Sequence, residues 1–339
     1  MRAGKQCDIR ADTKLRNGYP NWWCHAHYAP ARGEKGARLE QCAMAGVPAL
    51  PEHEQTRIDM SDMRTQGAAI RLMGAPVYST NKVNHTTGLF VSLPHDPARS
   101  GIYKQVSVAG PRGGMHEIMI DEAVAAAYNA SVLFEKELKV IACPHCEHSH
   151  IDAGYFAVHY HKKHLCSFCN RSFHDKEEGI ANPVYALQLL MGKPAMSTAA
   201  TQALHMSKHE YQGISLWTYY PTLAGPAITD TAGIGVSLWG GDGHGPIQDI
   251  YKTVTIDGIV LDDMMLRYYG VQQGMAYLAK YMVTLTCPGC LKEHFDTGAD
   301  ALTPHKVHVC EHCGHTFSDG TRYKGVVSNP AVARLRRLK

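Results

Sequence analysis

The chain has 339 residues, enough for two or three domains with cores of their own, with 45% hydrophobic and 19% charged residues. Its net charge of +3 is too small to imply nucleic-acid binding on charge alone. The first ten residues are polar, so no secretory leader is expected there, and no run nears the roughly 20 apolar residues of a membrane span. Paired Cys-x2-Cys steps in such a chain read as metal sites in a reducing compartment, so a cytoplasmic location is expected, with no membrane partner.

Residues 1–73 read as a separate region. Trp22 to His27 is a compact metal-and-aromatic cluster, and Cys7, Cys24, His27 and Cys42 form a plausible set of three cysteines and one histidine, with His25 an alternative ligand. Pro48 to Gln55 reads as an irregular linker.

A module of about 110 residues is expected over 74–183. Alternating β-branched and aromatic residues near 76–80, 88–93 and 102–108 predict short strands. Asp121 to Leu138 predicts a helix with Asp121 near its N-terminus, and Lys139–Ala142 a short strand entering the first cysteine pair. Cys143, Cys146, Cys166 and Cys169 then form C-x2-C-x19-C-x2-C, a strong signature for a closed tetrahedral Zn²⁺ site. Asn182-Pro183 is expected to start a further helix, because proline is favoured in a first turn. Residues 184–212 are expected to be a helical linker.

The module recurs over 213–339. Cys287, Cys290, Cys310 and Cys313 repeat the spacing, and 13 of 32 positions are identical between 143–174 and 287–318, where chance gives about two. Thr86 to Leu93 matches Thr231 to Leu238, Ile102-Tyr103-Lys104 matches Ile250-Tyr251-Lys252, and Gly74 to Ser79 resembles Gly213 to Thr218. The matching helix is Asp262 to Met282, and a basic helix is expected at the C-terminus, after Asn329-Pro330. The expected fold is α+β: a tandem-duplicated small β/α module, each copy ending in a four-cysteine zinc ribbon, plus the N-terminal zinc-binding region.

Between the paired cysteines lie His150, Asp152, His161 and His164, and in the second copy His294, Asp296, His305 and His308. Residues i and i+2 of a strand share a face, so each His-x-Asp pair points together. Three alternatives are open for these sets: structural partners of the zinc ligands, a second metal, or a general acid/base site. Other motifs are weaker. Gly233-x-Gly235 and the Gly240–Gly245 run match neither the dinucleotide nor the P-loop pattern. Tyr219-Tyr220 and Tyr268-Tyr269 read as packing pairs rather than base-stacking platforms.

Three functional readings follow. The first is a multi-zinc protein, with about three structural Zn²⁺ ions, that binds nucleic acid or nucleotide as a binding or scaffold subunit. The second is a metal-dependent, hydrolase-like enzyme using the His/Asp sets. The third is a protein-interaction module with purely structural zinc and other protein subunits as partners.

Overall fold

The computed structural model describes residues 57–61, 66–73, 76–80, 88–110, 117–194, 198–218, 222–226, 231–239, 247–321 and 324–339. Cys7, Cys24, His27 and Cys42 lie outside these residues, as do Tyr219-Tyr220 and the Gly240–Gly245 run.

The described part of the first half runs through β1 (Arg57–Asp59), β2 (Ala69–Met73), β3 (Tyr78–Ser79), β4 (Gly88–Ser92), β5 (Gly101–Tyr103), β6 (Gln105–Ala109) and β7 (Glu117–Asp121). Helix α1 (Glu122–Leu133), the hairpin β8 (His161–Leu165) and β9 (Ser172–Gly179), and helix α2 (Val184–Met191) follow. The second half begins with β10 (Thr198–Ala199), β11 (Ala203–Met206), β12 (Gly213–Thr218), β13 (Thr222–Ala224), β14 (Thr231–Ala232) and β15 (Ile234–Trp239). It continues through β16 (Ile247–Tyr251), β17 (Thr253–Ile256), β18 (Ile259–Asp262), α3 (Asp263–Gly274), α4 (Ala276–Ala279) and β19 (Met282–Val283). The hairpin β20 (Val307–Val309) and β21 (Thr316–Ser318), then β22 (Val327–Ser328) and α5 (Ala331–Leu338), close the chain.

The pairings repeat between halves. Strand β1 runs parallel to β6, which pairs antiparallel with β7; β11, β17 and β18 do the same. Strands β2, β4 and β5 form an antiparallel set, as do β12, β15 and β16. The strand after the first member of each set crosses over. β3 pairs antiparallel with β12, and β13 pairs antiparallel with β2, so each half extends the sheet of the other. Strand β12 thus occupies the place of β2, and the sequence likeness of 74–79 to 213–218 is not the structural correspondence. Both are six-residue, mostly apolar runs that begin with glycine, and so short a pattern cannot tell one strand from the next.

Three further expectations are revised. Residues 184–212 are not a helical linker: α2 ends at Met191, and β10 and β11 then pair with β14 and β17. The helix expected over Asp262 to Met282 breaks at Met275, which separates α3 from α4. The strands β1 and β2 also tie residues 57–59 and 69–73 to the sheets of the first half rather than to a separate region.

Local chemistry explains the helix ends. The Asp121 carboxylate accepts from the Val124 amide at 2.9 Å and Asp262 accepts from Met264 at 2.9 Å, capping α1 and α3. At the other helix pair the residue before proline takes this part. Asn182 Oδ1 accepts from the Val184 amide while its Nδ2 donates to the Val124 carbonyl, fastening α2 to α1. Asn329 does the same from α5, with Ala331, Met265 and the Gln272 side chain as partners.

One buried core packs α1 and α2 on the first-half strands, with Ile58, Ile70, Leu89, Val106, Ile120 and Leu187 at its centre. A second includes Ile214, Leu216, Ile234, Val254, Leu266 and Leu335. A third joins the halves, where Ala127 and Ala130 of α1 meet Val271 of α3, Met275, and the inter-cysteine residues Val158 and Leu302. Gly235 serves packing rather than phosphate binding, since a Cβ there would fall inside the Trp217 indole. Among the described residues no helix is long and apolar enough to cross a membrane.

Candidate metal centres

Each four-cysteine set is assembled by two turns of the same construction. Cys143 donates its amide to the His148 carbonyl, and its own carbonyl accepts from the Glu147 amide. Cys166 does so with Arg171 and Asn170, Cys287 with Lys292 and Leu291, and Cys310 with His315 and Gly314. The residue after the second cysteine of each pair is left-handed, at Glu147, Asn170, Leu291 and Gly314. Only Gly314 adopts that conformation without a Cβ cost; the other three are held there by the turn. Amides also point at sulfur, from His145 to Cys143, from Phe168 and Cys169 to Cys166, and from Gly289 to Cys287.

The four sulfurs of each set lie within 4.8 Å of one another. Cys143–Cys169 and Cys146–Cys166 are 3.6 Å apart, Cys290–Cys310 3.6 Å and Cys287–Cys313 3.7 Å. A tetrahedral zinc centre of four thiolates with bonds of roughly 2.3 Å has edges of about 3.8 Å, whereas a disulfide would need about 2.0 Å. Both sets are therefore compatible with zinc. Burial pushes the Cys166 thiol up despite the opposing Cys169 and Phe168 amides, so metal entry there must displace a proton.

The His/Asp residues also come together, one set beside each four-cysteine set. Asp152 Oδ1 faces His150 Nε2 at 2.8 Å, His161 Nε2 at 3.1 Å and His164 Nδ1 at 3.2 Å. Its other oxygen accepts from the Ala181 amide at 2.7 Å. In the second half Asp296 Oδ1 faces His294 Nε2 at 2.6 Å, His308 Nδ1 at 3.2 Å and His305 Nε2 at 3.4 Å, and Oδ2 accepts from Ser328. His150, Asp152, His164, His294, Asp296 and His308 are all buried. His161 and His305 reach in from the edge, with 11% and 20% of their side chains exposed.

Burial alone would raise the Asp152 carboxyl, but His150, His161 and His164 outweigh it and hold it well below the usual carboxylate range. Burial likewise disfavours the charged form of His161, and the Asp152 carboxylate more than offsets it, raising its pKa. A phenylalanine packs on the histidines of each half, and in the first half it stands between the two sets. Phe173 packs with Cys143 and Cys166 on one side and lies 5.3 Å from the His150 and His164 rings on the other. Phe317 stands 5.5 Å from His294 and from His308.

One residue of the site was not singled out in the sequence. Glu311, inside the last cysteine turn, reaches His294 Nδ1 with Oε2 at 2.6 Å and takes the Phe295 amide on Oε1. Its place between two cysteines reads as a variable turn position, and only the fold brings it to the histidine. The chain matches no protein-family model, and no curated protein or solved structure matches it.

Proposed function

We propose that this chain is a non-catalytic, multi-zinc binding or scaffold protein in which the two four-cysteine sets hold structural Zn²⁺ in zinc ribbons. The observation that carries this reading is the closure of those sets. Four sulfurs at tetrahedral spacing leave no ligand position for a substrate. The shared order of elements and the repeated ribbon spacing support an internal duplication of one module. A third zinc in the N-terminal region, on Cys7, Cys24, His27 and Cys42, belongs to the same proposal.

The hydrolase reading is weakened by the state of the His/Asp carboxylates. Asp152 presents one oxygen to three imidazoles and the other to a backbone amide, leaving no free edge to act as a general base. Between protein and nucleic acid as partner, the ribbons favour protein. Residues 139–180 hold five basic and five acidic residues, and 283–328 hold four and five, so neither generates a positive field. Val307 and Val309, on one face of β20, are 59% and 61% exposed, and Leu291 is 79% exposed. The equivalent positions of the first ribbon are Lys163, Leu165 and Glu147.

Among the described residues a nucleic-acid reading rests on α5 and Lys339 after it, where Arg336, Arg337 and Lys339 are exposed but Glu293 holds Arg334 at 2.7 Å and Arg337 at 3.7 Å. Binding to single- and double-stranded DNA and RNA across a salt series separates the two. A phosphate contact gives affinity that falls steeply with salt, and no binding at low salt leaves protein partners. The structural role of zinc is tested by melting the protein with and without a strong chelator. Stripping zinc is expected to collapse the transition, because metal-binding energy of about 10–16 kcal/mol per site is also folding energy. An unchanged midpoint after verified metal removal would reject the proposal.

A further inference from the structure

We infer that the His/Asp sets are two additional metal sites, each a closed centre of three histidines and one aspartate for a borderline divalent cation such as Zn²⁺. Each lies beside the four-cysteine centre of its ribbon. The ligand atoms are His150 Nε2, Asp152 Oδ1, His161 Nε2 and His164 Nδ1, and the corresponding atoms of His294, Asp296, His305 and His308.

The first argument is where the protons sit. His161 Nδ1 is 2.8 Å from the His159 carbonyl, and His305 Nδ1 is 2.9 Å from the Thr303 carbonyl. A carbonyl only accepts, so each Nδ1 carries a proton, and the Nε2 that faces the carboxylate is the ring's one remaining position for a cation, whether a second proton or a metal ion. His294 is held the same way, because its Nδ1 faces the Glu311 carboxylate. In the second half two of three imidazoles therefore turn their remaining nitrogen to one carboxylate oxygen, at 2.6 and 3.4 Å. Each such nitrogen needs a positive charge between it and the carboxylate, and one divalent ion serves both where otherwise each ring must take up a second proton.

The second argument is the buried surroundings. His164 Nε2, His308 Nε2 and His150 Nδ1 have no hydrogen-bond partner, so these rings are not explained as members of a satisfied polar network. Each ring nevertheless points its other nitrogen at the shared carboxylate oxygen. Convergence of that kind is how ligands surround an ion.

The third argument is size. Zn–N bonds of roughly 2.0–2.1 Å and Zn–O bonds of roughly 2.0–2.2 Å give tetrahedral edges of about 3.3 Å. The nitrogen-to-oxygen distances of 2.8, 3.1 and 3.2 Å in one half, and 2.6, 3.2 and 3.4 Å in the other, approach or bracket that length. Three members, His150, Asp152 and His164, or His294, Asp296 and His308, already lie within 4.8 Å of one another. His161 and His305 do not lie within 4.8 Å of every other donor, so each is the outer, more accessible fourth ligand that closes in on the ion. Nitrogen and oxygen donors next to an all-sulfur site also let one ribbon hold two ions of different preference.

The experiment is zinc X-ray absorption on the full chain, combined with metal analysis, for the wild type and for His161→Ala/His305→Ala. With both His/Asp sites filled, nitrogen and oxygen make up close to half of the average zinc shell, whether or not the N-terminal set also binds. If only cysteine-containing sets hold metal, they make up at most about one ligand in twelve. The double variant removes only the two partly exposed ligands, and its fold is checked by circular dichroism. It is expected to stay folded, to keep its sulfur-bound zinc and to yield its nitrogen-bound zinc to a weak chelator about tenfold or more readily. A sulfur-dominated shell in wild type, after dialysis against Zn²⁺, overturns the inference. So does a folded double variant whose metal content and release match those of the wild type. Should the double variant fail to fold, the wild-type shell composition decides alone.

Discussion

His294 Nδ1 and Glu311 Oε2 are 2.6 Å apart, so the ring's outer proton rests on a carboxylate that also takes the Phe295 amide. The first ribbon has Ser167 at the position of Glu311, and His150 Nδ1 is buried there with no partner. A carboxylate behind a metal-bound histidine fixes the ring and raises its basicity. Glu311→Gln is expected to weaken metal binding at the second His/Asp set by roughly 10–100-fold, while Ser167→Glu tightens the first. Competition with a chromophoric chelator measures both. Equal affinities in wild type and Glu311→Gln would remove Glu311 from the site.

Asn182 and Asn329 each fasten two helices from a fully buried position. Alanine at either place strands a carbonyl and an amide without partners, at a cost of about 2–4 kcal/mol. The loss is expected to be larger for Asn329→Ala, because the Gln272 side chain also loses its partner. Urea denaturation reads the difference, and a change below about 0.5 kcal/mol in both variants would contradict it.

Burial raises the pKa of Asp263, in the first turn of α3, against the opposing pull of Arg267 at 2.9 Å. A carboxyl whose folded pKa is raised binds its proton more tightly in the native state. Its contribution to stability is therefore fully present below the unfolded value of about 3.9 and declines as pH rises through the folded value. Asp263→Asn keeps an acceptor for Arg267 and removes that dependence. The variant's melting temperature relative to wild type is expected to be higher at about pH 7 than at about pH 4, and the reverse order would count against a raised pKa.

Gly235 lies on β15 directly beneath the Trp217 indole of β12. Gly235→Ala has to displace that ring, at a cost of about 1–3 kcal/mol for overpacking. A shifted Trp217 emission and a lower unfolding midpoint are the expected signs. An unaltered spectrum would mean that the ring has room to move.

The two four-cysteine sets were the most legible part of the described residues, because ligand chemistry restricts both residue type and spacing. Cys143 to Cys169 and Cys287 to Cys313 predict a four-sulfur cluster before any fold is known, and the fold brings those sulfurs together. The helix starts at Asp121 and Asp262 were legible for a similar reason, since a cap needs a short acceptor at one position. The crossing of β3 and β13 was not. Two or three residues carry no periodicity, and the bond from Ser215 to Ser79 spans 136 positions of chain. Glu311 was missed because its partner is set by the fold rather than by a neighbouring motif.

That crossing has a consequence for what a single half can be. Severed from its counterpart, either half would keep a strand with no sheet to join and an open sheet edge with no strand to fill it. Two identical halves would supply each other's deficit. The covalent chain thus has the connectivity of a domain-swapped homodimer whose protomers are linked end to end, with no dissociation constant left to govern it.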